Sequence, residues 1–211
     1  MSKYLLLLAL FAFSSAQLFS QSFNSLNSET GAYLRGGNFI SADDGFIFGN
    51  NGVIKKTNVK GAKWESVNSP TSGTLWGGFF LDSNTGWISG DNGYLAKTEN
   101  GAISWAQITI TSDSNERITD IKFFNENIGY ASGGDGHLFH TSNGGESWTE
   151  KYFEANLSPI YFSSVFIVSA SEVFAAAGNS RIYRTTNSGN NWQEVNFVAG
   201  GGRVKRNFLC R

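Results

Sequence analysis

Cysteine and proline are nearly absent from this chain, which has 1 Cys and 2 Pro among 211 residues. The single cysteine, Cys210, cannot form an intramolecular disulfide, so a disulfide-stapled scaffold is excluded and the fold must depend on packing. Charge is also scarce: 16% of the residues are charged, and the formal net charge is -1. Without a basic stripe or an acidic run, the sequence argues against a nucleic-acid partner and against strong binding to anionic lipids.

Long apolar runs are missing as well. The apolar run Tyr4 to Phe13 is ten residues long, too short to span a bilayer, which takes about 20 residues. It follows the cationic start Met1-Ser2-Lys3 and precedes Ser14-Ser15-Ala16, an arrangement typical of a secretory signal peptide. We predict a signal peptide over residues 1–21, with cleavage after Ala16 or before Ser22, and a protein that is secreted, periplasmic or at the cell surface.

Glycine and aromatic residues are abundant. The chain has 25 Gly, 15% of its residues are aromatic and 40% are hydrophobic. This profile favours many short strands joined by tight turns over long charged helices, and helical periodicity is missing from the body of the chain. The composition therefore indicates an all-β protein with a real core.

The body of the chain is a fourfold repeat. Tryptophans stand at 64, 105, 148 and 192, with gaps of 41, 43 and 44 residues, and a threonine lies seven positions before each one. Twelve positions before each threonine another apolar segment begins, at Gly45, Gly86, Gly129 and Val173. A period of this length with strand-like segments is typical of β-propeller blades.

Each copy contains a tight hairpin. The dipeptides Asn51-Gly52, Asn92-Gly93, Asp135-Gly136 and Asn179-Ser180 stand between two short apolar runs, and such pairs tolerate the positive φ that two-residue hairpins need. A further run upstream and a strand that starts at each tryptophan complete four antiparallel strands per copy. We predict four blades at residues 37–68, 76–111, 118–154 and 162–198, preceded by a lead-in segment, 22–36, and followed by a tail, 199–211.

The stretch Thr141 to Trp148, T-S-N-G-G-E-S-W, resembles the Asp-box or BNR repeat, which closes the turn between the third and fourth strands of a blade. In this motif a short polar side chain accepts hydrogen bonds from backbone N–H groups. Glycine takes a left-handed conformation, and the indole folds under the turn. The positions that carry the resemblance, which we expect to be structural, are Thr57, Gly61, Trp64, Thr98, Asn100, Ser104, Trp105, Thr141, Asn143, Gly145, Ser147, Trp148, Thr185, Asn187, Gly189 and Trp192.

Together with the preceding G-Y-A-S-G-G-D-G-H-L-F-H-T, the copies resemble the repeats of the photosystem II assembly and stability factor family over about residues 37–195. The resemblance implies a seven-bladed propeller that acts as a non-enzymatic assembly scaffold. Four copies imply an incomplete, open arc of such a propeller. Three interpretations stay open: a truncated reading frame, which we favour, a genuine four-bladed ring, or arcs that assemble in an oligomer through open blade edges.

The predicted function is a secreted binding or scaffold module for a protein or glycan partner, without catalysis or cofactor. One alternative is a fragment of a sialidase-like glycoside hydrolase, since Asp-boxes also occur there. Such a site needs three arginines, a Tyr–Glu pair and an acid/base, and Tyr33-Leu34-Arg35-Gly36 stands where the sialidase arginine motif is expected. A second alternative is a structural or adhesion part of a larger cell-surface protein.

Candidate binding residues come from loop placement. Trp76, Arg117, Asp135 and Tyr161 are aromatic or charged residues beside the hairpin turns and the loops between blades, where propellers bind ligands. A second column precedes the box threonines: Lys56, Lys97, His140 and Arg184. It forms either a cationic rim or, as we favour, stems packed over each blade's own tryptophan. His137 and His140 point to opposite faces of a strand, so we expect no metal site.

Overall fold

The computed structural model describes residues 27–111, 116–153 and 160–195. The expected signal peptide, 1–21, and the expected tail, 199–211, which carries Cys210, lie outside these ranges. Within them, no helix has both the length and the apolar character to cross a membrane.

The described chain folds into four four-stranded antiparallel sheets, which confirms the predicted fold class. Each sheet is a meander, with the strands in chain order from the inner to the outer edge.

Blade 1 comprises β1 (Leu34–Phe39), β2 (Gly45–Gly49), β3 (Ile54–Thr57) and β4 (Glu65–Ser66), with a 3-10 turn at Asn50–Gly52. Blade 2 comprises β5 (Leu75–Phe80), β6 (Gly86–Gly90), β7 (Tyr94–Thr98) and β8 (Ala106–Thr109). Blade 3 comprises β9 (Ile118–Phe123), β10 (Gly129–Gly133), β11 (His137–Thr141) and β12 (Thr149–Tyr152). Blade 4 comprises β13 (Phe162–Ile167), β14 (Val173–Ala177), β15 (Arg181–Thr185) and β16 (Gln193–Glu194).

The inner strands β1, β5, β9 and β13 pack side by side in that order, so the blades are arranged around a common axis. Residues 34–36 of the expected lead-in belong to the first strand. Two faces follow from the topology. We call the face with the β2–β3-type turns and the connections between blades the turn face, and the opposite face, which carries the Asp-box loops, the box face.

The hairpin turns follow the expected chemistry in three blades. Both central residues have positive φ at Asn51-Gly52, Asn92-Gly93 and Asn179-Ser180. In blade 3 only Gly136 has positive φ, at 94°, so the expectation of a left-handed pair at Asp135-Gly136 is wrong. There the Gly134 N–H donates both to the Arg117 carbonyl, at 2.8 Å, and to the side chain of the buried Glu116.

Each box turn is organised by its threonine hydroxyl. In all four blades that oxygen accepts a hydrogen bond of 3.0 Å from the backbone N–H four residues later. Two successive left-handed residues make this possible, and in the second box one of them is Ala102, at φ 67°. In boxes two to four the asparagine carbonyl also accepts an N–H across the turn, as from Ser147 to Asn143 at 3.1 Å. Val59 removes this second bond from the first box.

The box tryptophans support the inner strands. The rings of Trp64, Trp105 and Trp148 lie edge-to-face against the last phenylalanine of the inner strand of their own blade, at 6.0–6.1 Å between centroids. Those phenylalanines are Phe39, Phe80 and Phe123. In turn, Phe80 stacks on Phe46 and Phe123 on Trp87 of the preceding blade, both at 3.5 Å. The boxes thus connect the outer edge of a blade to the packing between blades.

This arrangement makes the threonine hydroxyl testable. Replacing Thr141 by Val keeps the shape but leaves the N–H groups of Gly145 and Asn143 without their acceptor. We expect the free energy of unfolding to fall by about 1–3 kcal/mol, as measured by urea denaturation followed by tryptophan fluorescence. Thr141→Ser keeps the hydroxyl and should lose much less. A valine variant as stable as the parent would contradict the role of the box hydroxyl.

Candidate functional site

A β-bulge recurs at the same place in every blade. In each inner strand the second residue has no partner in the register with the next strand, and the pairing resumes one residue later. Bulges re-aim a side chain and are frequent beside functional sites. The four bulged residues, which lie near the turn face, are Arg35, Trp76, Thr119 and Ser163.

All four bulged residues line one cavity on the axis, of about 220 Å³. Its walls come from the inner strands of all four blades, and glycines line it in blades 1 and 2. A side chain at Gly77 would meet the backbone of Asp120 in the next blade at 2.9 Å, so glycine lets the strands approach closely there. The volume is below the roughly 300–1,000 Å³ of pockets that enclose small molecules. It suits a side chain or a segment laid across the opening.

The mouth of this cavity carries a tryptophan between two arginines. The guanidinium carbon of Arg35 lies 4.3 Å from the Trp76 ring centroid, and that of Arg117 also lies 4.3 Å from it. Both distances are within the range of cation–π attraction. Arg35 comes from blade 1, Trp76 from blade 2 and Arg117 from the connection into blade 3, so the stack bridges three blades.

Hydrogen bonds hold this stack in place. The Trp76 indole N–H donates to Asp91 Oδ1 at 2.6 Å, and Arg117 Nε donates to the same oxygen at 3.2 Å. Arg117 Nη1 donates to the Tyr161 hydroxyl at 2.6 Å, which extends the network to blade 4. Arg35 Nε donates to Asn50 Oδ1 at 2.8 Å. We call Arg35, Trp76, Asp91, Arg117 and Tyr161 the mouth cluster.

The mouth cluster retains unused hydrogen-bond donors. Of the two guanidinium groups, that of Arg117 pairs with the carboxylate of Asp91 and that of Arg35 bonds to the Asn50 amide. Among the described residues, Arg35 Nη1 and Nη2 and Arg117 Nη2 have no hydrogen-bond partner. Arginine presents its donors as a planar fork that matches carboxylates. Because the stems are fixed by stacking and by Nε bonds, these donors are pre-organised, and the opening is suited to an acidic or carbonyl-rich ligand.

Deeper in the cavity, Asp120 is fully engaged. It accepts hydrogen bonds from Lys122 Nζ, Ser164 Oγ and the Val165 N–H at 2.6, 2.7 and 3.1 Å, and its Oδ1 also accepts from the Ile121 N–H at 2.9 Å. Two of these donors belong to blade 4. Asp120 therefore links blades 3 and 4 and has little capacity left for chemistry.

The buried carboxylate of Glu116 stabilises the β10–β11 turn next to the mouth cluster. It accepts the Gly134 N–H, and its Oε2 lies 3.6 Å from His137 Nε2, while His137 Nδ1 contacts Glu150. Burial raises the pKa of Glu116, an effect that His137 and the bonds from Gly134 and Asp135 oppose. Since Glu116 precedes Arg117 and holds the β10–β11 turn, it positions the chain at the mouth.

Three of the four residues expected from loop placement come together: Trp76, Arg117 and Tyr161. Asp135 is exposed in the neighbouring β10–β11 turn, outside the mouth cluster. Sequence reasoning missed Arg35, which was assigned to the lead-in, as well as Asp91 and Glu116. The signal for Arg35 was its place directly before Gly36-Gly37, which matches that of Trp76 before Gly77-Gly78.

In the second expected column, Lys97, His140 and Arg184 contact aromatic rings of the second strands and not the box tryptophans. Lys56, Lys97, His140 and Arg184 are the cross-strand partners of the second-strand aromatics Phe46, Trp87, Tyr130 and Phe174. Lys97 Nζ lies 5.6 Å from the Trp87 centroid and the Arg184 guanidinium carbon 5.7 Å from that of Phe174. Lys97 pairs with Glu99 at 2.7 Å and Arg184 with Glu172 at 2.6 Å. Lys97 and Arg184 are therefore not part of a free cationic rim, whereas Lys56 is exposed.

Other clefts are larger than the axial cavity. One of about 370 Å³ lies between the boxes of blades 1 and 2, and one of about 430 Å³ between those of blades 2 and 3. Each is lined by two blades only, largely by Asn, Lys and Glu side chains at the rim. In the part of the chain that the structure describes, no group of three or more His, Cys, Asp and Glu side chains is placed to hold a metal ion.

Comparison with known proteins identifies one family and several solved structures that share the fold. The profile of the Photosynthesis system II assembly factor YCF48 family matches residues 56–206. Among solved structures, YCF48 bound to a D1 peptide has a TM-score of 0.53 at 16% identity, and the match covers 78% of this chain and 82% of that one. No curated protein sequence matches the chain.

Two further structures share the fold. An ancestral GH74 enzyme has a TM-score of 0.66 at 23% identity, over 81% of this chain but only 25% of the enzyme. The computationally designed Ika4 protein has a TM-score of 0.57 at 14% identity, over 76% of this chain and 94% of that protein. Identities this low carry the fold alone.

The charge of the second column can be measured at His140, one of 2 histidines. Burial lowers the pKa of His140 from its ordinary 6.5, and its ring lies 4.8 Å from that of Tyr130. We expect an NMR titration, assigned with His140→Gln, to give a midpoint below 6.5. Since the folded pKa of His140 is depressed, the contribution of His140 to folding stability is complete above its unfolded pKa. That contribution is lost as the pH falls from 6.5 toward the folded pKa. A midpoint at or above 6.5 would support a charged rim.

Proposed function

The chain belongs to the Photosynthesis system II assembly factor YCF48 family, and we propose that it is a protein-binding propeller that captures an extended segment of a partner protein across the axial cavity on its turn face. The observation that carries this proposal is the mouth cluster, in which Trp76 is held between Arg35 and Arg117. Support also comes from the related YCF48, whose structure contains a bound D1 peptide.

The chemistry of the mouth favours a peptide with a carboxylate. Tryptophan, tyrosine and arginine are the residues that most often dominate binding energy at protein interfaces. Here Trp76 and Tyr161 supply apolar area with few rotatable bonds, and the unused donors of Arg35 and Arg117 match an acidic side chain or a chain terminus. The partner segment therefore places an acidic group over the arginines and lays its backbone across the opening.

We propose that the module has no catalysis of its own. The GH74 enzymes share the fold, and a glycosidase needs two carboxyl groups free to act on one bond. In the axial cavity Asp120 is occupied by four donors, and Asp91 is held by Trp76 and Arg117. Turnover of fluorogenic glycosides that disappears in Asp91→Asn or Asp120→Asn would instead favour the glycoside hydrolase.

Peptide selection tests the binding function. A display library of random ten-residue peptides, selected on the immobilised protein, should enrich Asp- or Glu-containing sequences. We expect Arg117→Ala to weaken an enriched, fluorescently labelled peptide about 30-fold in an anisotropy titration, because truncation of an interface arginine commonly costs about 2 kcal/mol. Arg184→Ala is the matched control, since Arg184 belongs to the second column and does not line the cavity.

Two results would contradict the proposal. One is a selection without enrichment of any peptide. The other is equal affinity of the parent, Arg117→Ala and Arg184→Ala for the enriched peptide. Near-UV circular dichroism of both variants establishes that the fold is retained, so a loss of affinity in Arg117→Ala is attributable to the mouth cluster.

We also propose that the protein is exported from the cytoplasm, which rests on the cationic start, the ten-residue apolar run and Ser14-Ser15-Ala16. Expression in a bacterial host, followed by mass spectrometry of the purified chain, should give a mature amino terminus between Gln17 and Ser22. A chain that retains Met1 or Ser2 would overturn this proposal.

A further inference from the structure

The packing between successive blades follows one rule. In blades 1 and 2 the second-strand aromatic covers the last residue of the following inner strand. Phe46 lies on Phe80 with an interplanar angle of 1°, and Trp87 lies on Phe123 with an angle of 11°. Tyr130 of blade 3 is buried in the cluster that contains Val165 and Val173 of blade 4. We call the side of a blade that covers its successor its front face and the opposite side its back face.

The back faces of blades 2, 3 and 4 are buried because a preceding blade covers them. Their first inner-strand residues, Leu75, Ile118 and Phe162, have no exposed surface. The middle residues of the second strands, Ile88, Ala131 and Ala175, are equally buried. The three back faces therefore show how this repeat looks when it has a neighbour.

The back face of blade 1 has the same columns, but no blade among the described residues covers it. Leu34, at the position of Leu75, is 42% exposed, and Phe39, at the position of Phe80, is 51% exposed. Phe39 already lies edge-to-face on Trp64 at 6.1 Å, as Phe80 does on Trp105. Its outer side is thus pre-organised for a stacking aromatic. Lys55 also lies on this face, but its Nζ donates to the Glu29 carbonyl at 3.0 Å and is buried.

The front face of blade 4 is the complementary surface. Phe174 occupies the position of Phe46, Trp87 and Tyr130, which the pairing with Arg184 fixes. Beside it, Phe166 is 60% exposed and Val168 61%. Arg184 lies over Phe174, and Lys97 lies over Trp87 in the same way while Trp87 stacks on Phe123. A basic residue at this position is therefore compatible with a covering blade.

We propose that the front face of blade 4 docks on the back face of blade 1 of a second copy, with Phe174 stacked on the second copy's Phe39. The occupant is a second copy because each face fits a blade of this repeat and both halves of the contact are present on one chain. Such an interface is heterologous, and two copies that each use both faces close into a ring. Apolar patches of this kind on a soluble protein mark interaction sites.

Size-exclusion chromatography with light scattering tests the contact on the purified chain. The parent protein should have twice the mass of one chain. Phe39→Asp and Phe174→Asp each place a charge in the proposed contact and should give monomers. Phe124→Asp is the matched control: Phe124 is 48% exposed just after the end of β9 in blade 3, a blade that takes no part in the proposed contact, so this variant should stay dimeric.

Mixing the two variants identifies the geometry. Phe39→Asp retains an intact front face on blade 4, and Phe174→Asp retains an intact back face on blade 1. An equimolar mixture should therefore recover a dimer through one contact, whereas neither variant dimerises alone. A symmetric contact between two like faces would leave one variant dimeric by itself and would overturn the proposal. So would a monomeric parent protein, a dimer insensitive to both substitutions, or a parent that grows beyond two copies.

Far-UV circular dichroism of the variants separates loss of association from loss of folding. Because Phe39 is exposed and Phe174 is only partly buried, we expect parent-like spectra. Peptide binding at the mouth cluster is an independent measurement. If the chain does not dimerise, or if it does not bind peptide, the two experiments therefore give different results.

Discussion

The structure depends on a threonine hydroxyl that accepts backbone N–H groups within a turn of two left-handed residues. This bond is 3.0 Å long in every blade, and it determines where the following tryptophan enters the sheet. The indole then supports the last aromatic of the inner strand, and that aromatic receives the second-strand ring of the preceding blade. A local turn motif thus determines the angle between sheets, since aromatic rings at 3.5 Å leave little freedom. The convergence of four inner strands on one axis follows from that angle.

The same convergence produces the candidate site on the opposite face. A bulge at the second inner-strand residue directs one side chain per blade toward the axis, so residues about 40 positions apart in sequence become neighbours. The mouth cluster is built by this repetition and not by a contiguous motif. Its two guanidinium groups tolerate close approach because a ring separates them and Asp91 compensates one charge. The side chains of the box face are used in turn closure, so under the proposed function stability and recognition belong to different faces.

Local patterns were readable from the sequence, and contacts between blades were not. The box residues, the hairpins at Asn51-Gly52 and Asn92-Gly93 and the fourfold sheet all follow from spacing and turn chemistry, which act within a few residues. The turn at Asp135-Gly136 differs, and there the buried Glu116 accepts the Gly134 N–H, a partner 18 residues away. Likewise the partner of Lys97 is Trp87 and not Trp105, because strand register decides it. Arg35 was missed because the bulge shifts the first strand relative to the apolar run that marks it.

The division between faces has a consequence for how such a repeat changes its ligand. A substitution at a box threonine or tryptophan alters the angle between blades and so disturbs every site on the axis, whereas a bulged residue has no partner in the strand register. The bulged positions hold Arg35, Trp76, Thr119 and Ser163, four different chemistries on one backbone conformation. Variation at these positions changes what the cavity presents while the hydrogen bonds of the sheets persist. Under the proposed function, specificity in this fold resides in residues that the repeat pattern leaves free, which is why the repeat identifies the family while the proposed partner contact rests on the mouth cluster.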